Sequence, residues 1–198
     1  MLEYAQRIQA LAQSGLAFST DYYDRERYED LQTIAFEMMA SATTGSIAEI
    51  QAFYAEEGYA TPKIDVRGMV TDDNNRLLLV KDRGSQQWSL PGGYADIGLS
   101  ASENIVKEVV EETGLVVSVN RLLAVYDTNK SNPANLPVQY YKFVFSCQVL
   151  SGCLQPSFET TELAYFSLAD LPELSERRNT RQQLEECLKL KASQIILD

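Results

Sequence analysis

Three glutamates share one face of a predicted helix in the second half of the chain. Glu108, Glu111 and Glu112 are spaced i, i+3 and i+4, so at 100° per residue their carboxylates emerge next to one another. Like charges this close repel, and a cation would offset the repulsion. Because hard carboxylate oxygens suit Mg²⁺ or Mn²⁺, the spacing indicates a metal site. A solvated acidic face would show the same spacing.

The loop before this helix favours the metal site. Pro91-Gly92-Gly93 permits a tight turn and a close backbone approach, so the carbonyl of Gly93 could add a metal ligand. Ser100 or Ser102 can cap the start of the helix, and Gly114 ends it. Glycines on both sides of three aligned glutamates are hard to explain by a solvated surface alone.

The composition limits the chemistry further. The chain has 198 residues, a formal net charge of −11 and no histidine. The absence of histidine excludes Ser-His-Asp and Cys-His catalysis, so acid–base or metal chemistry must rest mainly on carboxylates. The negative net charge argues against a general nucleic-acid-binding surface, which needs basic patches, so we expect no stable nucleic-acid complex. An acidic pocket can still bind one diphosphate through divalent cations.

The N-terminal segment bears on the compartment. It is amphipathic and carries Arg7, unlike the continuous apolar core of a signal peptide. No apolar run approaches the ~20 residues that a membrane span needs. We therefore expect a cytoplasmic protein without membrane contact.

The hydrophobic pattern changes near residue 60. Before it, the spacing is helical and predicts three helices: one that stops near Gly15, one over Tyr22–Ala42, and one from a Ser46/Glu49 capping box to Gly58. After it, the pattern alternates as in strands, with a turn at residues 72–75 between the first two. We predict a helical domain over residues 1–60 and a mixed domain of strands and helices over 61–198.

The glutamate helix and its loop resemble a known motif. The segment GGYADIGLSASENIVKEVVEETGL is similar to the Nudix box, which reads glycine, five residues, glutamate, seven residues, then Arg-Glu-hydrophobic-any-Glu-Glu-any-Gly-hydrophobic. Gly93 is the first glycine, and residues 107–115 are the tail. Two positions depart from the pattern. Leu99 stands in place of the first glutamate, and Lys107 in place of the arginine. The lysine keeps the positive charge but lacks the planar guanidinium group that can bind a carboxylate through two N–H donors.

The resemblance extends over most of the chain. The stretches LEYAQRIQALAQSGLAFS, DYYDRERYEDL, TPKIDVRG and LLAVYDTNK resemble a Nudix subgroup with a helical N-terminal domain, which includes CDP-choline pyrophosphatases and ADP-ribose pyrophosphatase-like enzymes. This implies an α+β fold, namely a Nudix-type α/β/α sandwich with a mixed sheet, preceded by a small all-helical domain.

The resemblance also implies an activity. The expected reaction is Mg²⁺-dependent (or Mn²⁺-dependent) hydrolysis of the diphosphate linkage of a nucleoside diphosphate derivative, first of all CDP-choline to CMP and phosphocholine. ADP-ribose or a related nucleoside diphosphate sugar is the alternative substrate. The departures at Leu99 and Lys107 leave a further alternative, a degenerate domain that binds a nucleotide without turnover.

Specific roles follow from the resemblance. Glu108, Glu111 and Glu112 are implied as metal ligands, and one of them or a loop carboxylate as the general base. Glu159 and Glu162 in FETTELAYF are candidates for that loop carboxylate, because the family often supplies another glutamate before this strand. Either could equally be an exposed loop glutamate.

Other residues are candidates for substrate contact. Arg67 interrupts an otherwise apolar strand, while Lys81 and Arg83 lie on or beside the next strand. All three could contact phosphates, although the last two are also typical of solvated surface charges. Trp88 could stack on a base or serve in packing. Polar side chains after the strand that follows the box helix could bind a base or ribose: Tyr126, Asp127, Asn129 and Lys130.

The N-terminal helices carry several tyrosines, which suit a protein interface because the ring is apolar and the hydroxyl can remain solvated. They are Tyr4, Tyr22, Tyr23, Tyr28 and Tyr54. We predict that this domain helps to form a homodimer.

Overall fold

The computed structural model describes residues 1–131 and 136–197. They form two compact units. The first contains Met1–Lys63 and residues 136–140, and the second contains residues 64–131 and 141–197.

The first unit is built on three helices: α1 (Leu2–Phe18), α2 (Tyr22–Ala42) and α3 (Ile47–Phe53). The predicted capping box of Ser46 and Glu49 opens α3. The prediction that α1 stops near Gly15 is wrong. A Cβ at Gly15 would lie 2.4 Å from the ring of Tyr28, so this glycine gives α2 room against α1 rather than ending the helix.

A later segment completes this unit. The side-chain amide of Gln6 donates to the carbonyl of Leu136 at 2.9 Å, and the hydroxyl of Tyr54 donates to the carbonyl of Pro137. The sequence pattern groups residues 136–140 with the second domain, whereas these hydrogen bonds join them to the helices. We therefore propose that the helical domain includes them.

The second unit combines strands from two sheets with three helices. The strands are β1 (Lys63–Val70), β2 (Leu77–Asp82), β3 (Trp88–Ser89), β4 (Leu115–Asp127), β5 (Tyr140–Gly152), β6 (Thr160–Phe166) and β7 (Ile196–Leu197), and the helices are α4 (Ala101–Thr113), α5 (Thr128–Ser131) and α6 (Arg181–Lys189). One sheet has the order β1-β5-β4-β7 and the other β3-β2-β6. Strand β4 pairs antiparallel with β5 and parallel with β7. The predicted α+β class with a mixed sheet is thus confirmed.

Strands β1 and β2 begin as the predicted hairpin and then separate. Thr71 bridges Leu77 in antiparallel fashion, and the amide of Asp72 donates to the carbonyl of Arg76 at 3.1 Å. The two strands nevertheless belong to different sheets. Strand β2 pairs instead with β3 on one edge, over Val80 and Lys81, and with β6 on the other.

Alternate side chains of the strands enter two different cores. One core joins α4 to the sheet through Val66, Val70, Ile105, Val109, Phe145 and Cys147. The other joins α6 to the opposite face through Met69, Leu90, Val144, Leu184 and Cys187. A Cβ at Gly68 would lie 2.8 Å from Val109, so this glycine lets α4 approach β1. The sheet therefore lies between α4 and α6, as expected for the sandwich.

Among the described residues, no helix has the length and apolar character needed to cross a membrane.

Candidate active site

Helix α4 is fixed at both ends. Ser100 is its N-cap: the Oγ of Ser100 accepts a hydrogen bond from the amide of Glu103 at 3.2 Å, and the carboxylate of Glu103 accepts one from the amide of Ser100 at 2.8 Å. Gly114 ends the helix in a left-handed conformation with φ 74°. Such caps remove fraying at the termini, so the glutamates between them have defined positions.

The segment Leu90–Gly93, here called the glycine loop, runs beside β1. The carbonyl of Pro91 accepts a hydrogen bond from the amide of Gly68 at 2.9 Å, and the carbonyl of Gly93 accepts one from the amide of Val66 at 2.8 Å. Since a carbonyl oxygen has two lone pairs, the Gly93 carbonyl keeps the capacity for a second partner.

Gly92 connects this loop to α4. Its N–H donates a hydrogen bond of 2.8 Å to Oε2 of Glu112. Gly92 has φ +139°, and a Cβ there would lie 2.0 Å from the carbonyl oxygen of Val66. A residue with a side chain could adopt neither this conformation nor this approach, so glycine is required for the contact with Glu112.

Glu112 and Glu108 both face the glycine loop from α4. Glu112 is 9% exposed, and burial raises its pKa to about 7 despite the nearby Arg67 charge and the Gly92 hydrogen bond. Glu108 is half-buried, and burial raises its pKa as well. A Cβ at Gly93 would lie 3.1 Å from Oε2 of Glu108, so this carboxylate rests directly against the loop.

The third predicted ligand, Glu111, has a different partner. Its carboxylate is exposed and lies 3.1 Å from Nζ of Lys107, which also contacts Asp96 at 3.0 Å. Across residues 1–131 and 136–197, no three acidic or cysteine side chains converge as a group that could hold a metal. The structure therefore brings two of the three glutamates to the glycine loop and pairs the third with lysine.

The donor set at the loop fits a hard divalent cation. Two carboxylates whose charged forms are disfavoured by burial lie beside a loop that carries no side chain at Gly93. A divalent ion there would favour the charged form of both carboxylates. Oxygen donors of this kind are those that Mg²⁺ and Mn²⁺ prefer.

A second loop carries the predicted candidate Glu159. The Nε of Arg83 donates to the carbonyl of Phe158 at 2.7 Å, and its Nη2 donates to the carbonyls of Thr160 at 3.3 Å and Ser157 at 3.4 Å. The amide of Arg83 also donates to the carbonyl of Glu159 at 2.8 Å. The guanidinium thus holds the chain around Glu159, whose charge contributes to the raised pKa of Glu108.

The other predicted cations also contact protein groups. Arg67 is buried, binds both carboxylate oxygens of Asp65 at 2.7 and 3.0 Å, and donates to the carbonyl of Leu90 at 3.3 Å. Nζ of Lys81 lies 2.7 Å from the carboxylate of Glu162 on the neighbouring strand.

The aromatic candidates Trp88 and Tyr126 are core residues. Trp88 is buried and packs edge-on against Phe166, with 4.9 Å between ring centroids. Tyr126 is 3% exposed, and its hydroxyl lies 3.4 Å from the carboxylate of Glu186 on α6. Asn129 and Lys130 are exposed on α5.

The sequence did not single out two further residues near the loop. Arg178 binds the carboxylate of Asp82 at 2.8 Å, and its charge acts to lower the pKa of Glu112. Oδ1 of Asn179 accepts a hydrogen bond from the amide of Leu90 at 2.8 Å. Both residues lie in the polar stretch SERRN, which has no periodicity or motif that would distinguish it from an ordinary loop.

Two family models match this chain. The model of the NUDIX domain matches residues 61–187. A model described as a UDP-X-like, N-terminal oligomerisation domain matches residues 1–54.

Relatives resemble the chain over much of its length. A Bacillus subtilis (strain 168) protein, YjhB, which is provisionally named an ADP-ribose pyrophosphatase, is 48% identical over 184 residues, or 92% of this chain and 88% of that protein. An ADP-ribose pyrophosphatase of Methanocaldococcus jannaschii is 32% identical over 59% of this chain and 69% of its own length.

Solved structures agree with these matches. A crystal structure of a UDP-X diphosphatase is 40% identical, with a TM-score of 0.66, and covers 99% of this chain and 97% of its own. The structure of an ADP-ribose pyrophosphatase from Streptococcus suis is 38% identical, with a TM-score of 0.63, over 70% of this chain and all of its own. Together with the glycine loop and the glutamates of α4, these matches show that the chain belongs to the Nudix hydrolase family.

Proposed function

We propose that this protein hydrolyses the diphosphate linkage of a nucleoside diphosphate derivative, and that Glu108 and Glu112 form the centre of its divalent-metal site. The observation that carries the proposal is the buried carboxylate of Glu112, which the glycine loop orients by a single backbone hydrogen bond. Burial of a carboxylate without a full counter-charge costs stability. A bound cation at this place would supply the counter-charge.

Mg²⁺ is the ion we propose, with Mn²⁺ as a substitute. When bound, the ion would neutralise phosphate oxygens and make a nearby water more acidic. We propose Glu111 as the third ligand. Its contact with Lys107 is a partly exposed ion pair, and pairs of this kind contribute little, so the carboxylate can exchange lysine for metal at small cost.

Of the two loop glutamates, we propose Glu159 as the general base. Its loop is held by Arg83, and its charge acts on Glu108. Glu162 instead pairs with Lys81 at 2.7 Å, so its carboxylate is already engaged by another side chain. In this proposal Glu159 takes a proton from the attacking water as the water oxygen bonds to phosphorus, and the bridging P–O bond breaks so that the other phosphate leaves.

For substrate contacts, we propose Lys81, Asn129 and Lys130, whose side chains reach solvent at least in part. Arg67, Arg83 and Tyr126 are engaged with protein groups. We propose that any influence of these three on the substrate is exerted by holding nearby loops and strands.

ADP-ribose is the first substrate we propose, since the Bacillus subtilis relative covers 92% of this chain and the Streptococcus suis enzyme carries the same activity in its name. A UDP-linked sugar is second, because the UDP-X diphosphatase structure covers 99% of the chain. CDP-choline, which the subgroup resemblance predicts, is the third candidate.

One panel experiment ranks these three substrates. Each compound is incubated with enzyme and Mg²⁺, and the nucleoside monophosphate product is measured by chromatography. We expect AMP from ADP-ribose at the highest kcat/KM. A highest kcat/KM for UMP or CMP release would replace ADP-ribose by the UDP-linked sugar or CDP-choline.

The non-catalytic alternative has one specific observation behind it. Leu99, which stands at the position of the first box glutamate, is 40% exposed and brings no carboxylate to the site. A domain that only binds nucleotides would give a calorimetric binding signal with ADP-ribose and Mg²⁺ but no AMP in the same panel.

We also propose that the protein is a homodimer formed through α1. Tyr4, Leu11 and Phe18 are 65%, 70% and 73% exposed. Their spacing of seven residues places them in one stripe along the helix. An exposed apolar stripe of this length is typical of a protein interface, and it lies within residues 1–54, which match the oligomerisation-domain model.

A further inference from the structure

Trp88 pairs with the segment before α6 in the manner of a parallel strand. Its N–H donates to the carbonyl of Glu173 at 3.0 Å, and its carbonyl accepts from the amide of Ser175 at 2.8 Å. In a strand, the N–H groups of residues two apart face the same edge. The N–H of Leu90 therefore faces this segment too, and in regular parallel pairing it would donate to the carbonyl of Ser175.

That carbonyl is already taken by a turn. The oxygen of Ser175 accepts hydrogen bonds from the amides of Arg178 at 2.8 Å and Asn179 at 2.9 Å, where the chain turns toward α6. The side chain of Asn179 supplies the missing acceptor, because its Oδ1 lies 2.8 Å from the nitrogen of Leu90. Leu90 and Asn179 are each 1% exposed, so bulk solvent does not compete for this hydrogen bond.

The peptide groups around Leu90 are thus held from two directions. Its N–H is bound by Asn179, and its carbonyl accepts from Arg67, which is locked onto Asp65. Two residues further along, Gly92 donates to Glu112. Because only Pro91 separates the anchored residue from Gly92, the anchor at Leu90 limits where the Gly92 N–H can point.

The Nδ2 group of the Asn179 side chain makes no hydrogen bond with the glycine loop. Within the described residues its Nδ2 has no hydrogen-bond partner. Asn179 lines a cavity of about 10 Å³ together with Lys142 and Gln183. The oxygen of Asn179 therefore makes the contact with the glycine loop, and an aspartate would retain that acceptor while facing a cavity that Lys142 shares.

We propose that Asn179 is a positioning residue for the reaction: through Leu90 it orients the Gly92 N–H, and through that group the carboxylate of Glu112. The consequence for metal binding and turnover rests on the function proposed above. The positional part rests on the hydrogen bonds alone.

Three variants test this role. Asn179→Leu keeps the approximate volume and removes the acceptor, Asn179→Asp keeps the acceptor, and Thr180→Ala is the matched control. Thr180 is the N-cap of α6, and its hydroxyl accepts from the amide of Gln183 at 3.2 Å, so its loss weakens the same segment without touching Leu90. The measurements are Mn²⁺ affinity of the free enzyme by calorimetry, kcat and KM for ADP-ribose, and amide exchange at Leu90 and Gly92 by NMR.

We expect Asn179→Leu to weaken Mn²⁺ binding and to lower kcat by about 10-fold or more, as is usual when a group that orients a metal ligand is lost. KM should change by less than about 3-fold, and exchange at Gly92 should become faster. Asn179→Asp should restore Mn²⁺ binding and kcat to near wild type. Thr180→Ala should lower Tm but leave Mn²⁺ binding, kcat and Gly92 exchange unchanged.

Wild-type Mn²⁺ affinity and turnover in Asn179→Leu would overturn the proposal, as would equal losses in Thr180→Ala. If the wild-type enzyme neither binds Mn²⁺ nor hydrolyses the substrate panel, the proposed function fails instead. The proposed orientation of the Gly92 N–H by Asn179 is then tested by amide exchange alone, and unchanged Gly92 amide exchange in Asn179→Leu would overturn it.

Discussion

The N–H of Gly92 donates a hydrogen bond of 2.8 Å to the carboxylate of Glu112, and this contact joins the glycine loop to the helix of glutamates. It places a donor on a carboxylate whose pKa is raised by burial to about 7. In the protein without metal, burial favours the protonated form of this carboxylate, and a proton and a cation compete for it.

Replacement of Glu112 by glutamine should stabilise the metal-free protein, and more so at higher pH. The group has a raised pKa in the folded state, about 7 against 4.5. The cost in folding stability of burying the ionised Glu112 carboxylate is absent below pH 4.5. It grows as the pH rises from 4.5 to about 7 and is complete above that range. We expect Glu112→Gln to raise the free energy of unfolding at pH 8 by up to roughly 3 kcal/mol, with little gain at pH 4.5.

Urea unfolding with a chelator present, at pH 4.5 and pH 8, measures this difference. Glu111→Gln is the control, because it changes an exposed carboxylate on the same helix. An equal effect of Glu112→Gln at the two pH values would contradict the assigned burial cost.

A comparison of Glu159→Gln with Glu162→Gln should show which of the two glutamates is the general base. We expect kcat for ADP-ribose hydrolysis to fall by about 10²- to 10⁴-fold, the usual contribution of a general base, with Mn²⁺ affinity nearly unchanged. Glu162→Gln breaks an ion pair with Lys81 that is worth at most about 1 kcal/mol, so its kcat should stay near wild type. The reverse order of the two kcat values would assign the base to Glu162.

Arg83→Ala tests whether this arginine holds the loop or binds phosphate. Its guanidinium donates to three carbonyl groups of the Glu159 loop, so its loss should displace Glu159 and lower kcat by about 10-fold or more. KM should change little. Arg76→Ala, which removes an exposed ion pair with Asp72, is the control. A large rise in KM at unchanged kcat would indicate phosphate binding instead.

Leu11→Glu should dissociate the proposed dimer. It puts a charge in the middle of the exposed stripe on α1, where desolvation of that charge in an interface is costly. Light scattering at micromolar concentration should show a dimer for wild type and a monomer for Leu11→Glu. Thr33→Glu adds the same charge at an exposed polar position of α2 and should remain dimeric. A wild-type monomer would rule out the homodimer.

The local signals of the sequence predicted much of the fold. The helical spacing over Tyr22–Ala42 predicts α2 with its observed bounds, the capping box at Ser46 marks the start of α3, and Ser100, one of the two predicted caps, starts α4. These features depend on contacts between near neighbours in the chain, which a periodic pattern records directly.

Contacts between distant residues could not be predicted in this way. The assignment of β1 and β2 to different sheets involves β5, which pairs with β1, and β3 and β6, which pair with β2. The role of Asn179 depends on a turn that consumes the carbonyl of Ser175. Each of these outcomes depends on which groups the folded chain brings within hydrogen-bonding distance.

The proposed metal-dependent hydrolysis can be tested by a Mg²⁺ titration of ADP-ribose hydrolysis by wild type and Glu112→Gln, with AMP release measured by chromatography. We predict that wild-type turnover requires Mg²⁺ and stops with a chelator, and that Glu112→Gln is slower by about 100-fold or more at saturating Mg²⁺. Wild-type turnover by Glu112→Gln at saturating Mg²⁺, or wild-type hydrolysis that persists with chelator, would contradict the proposed metal site.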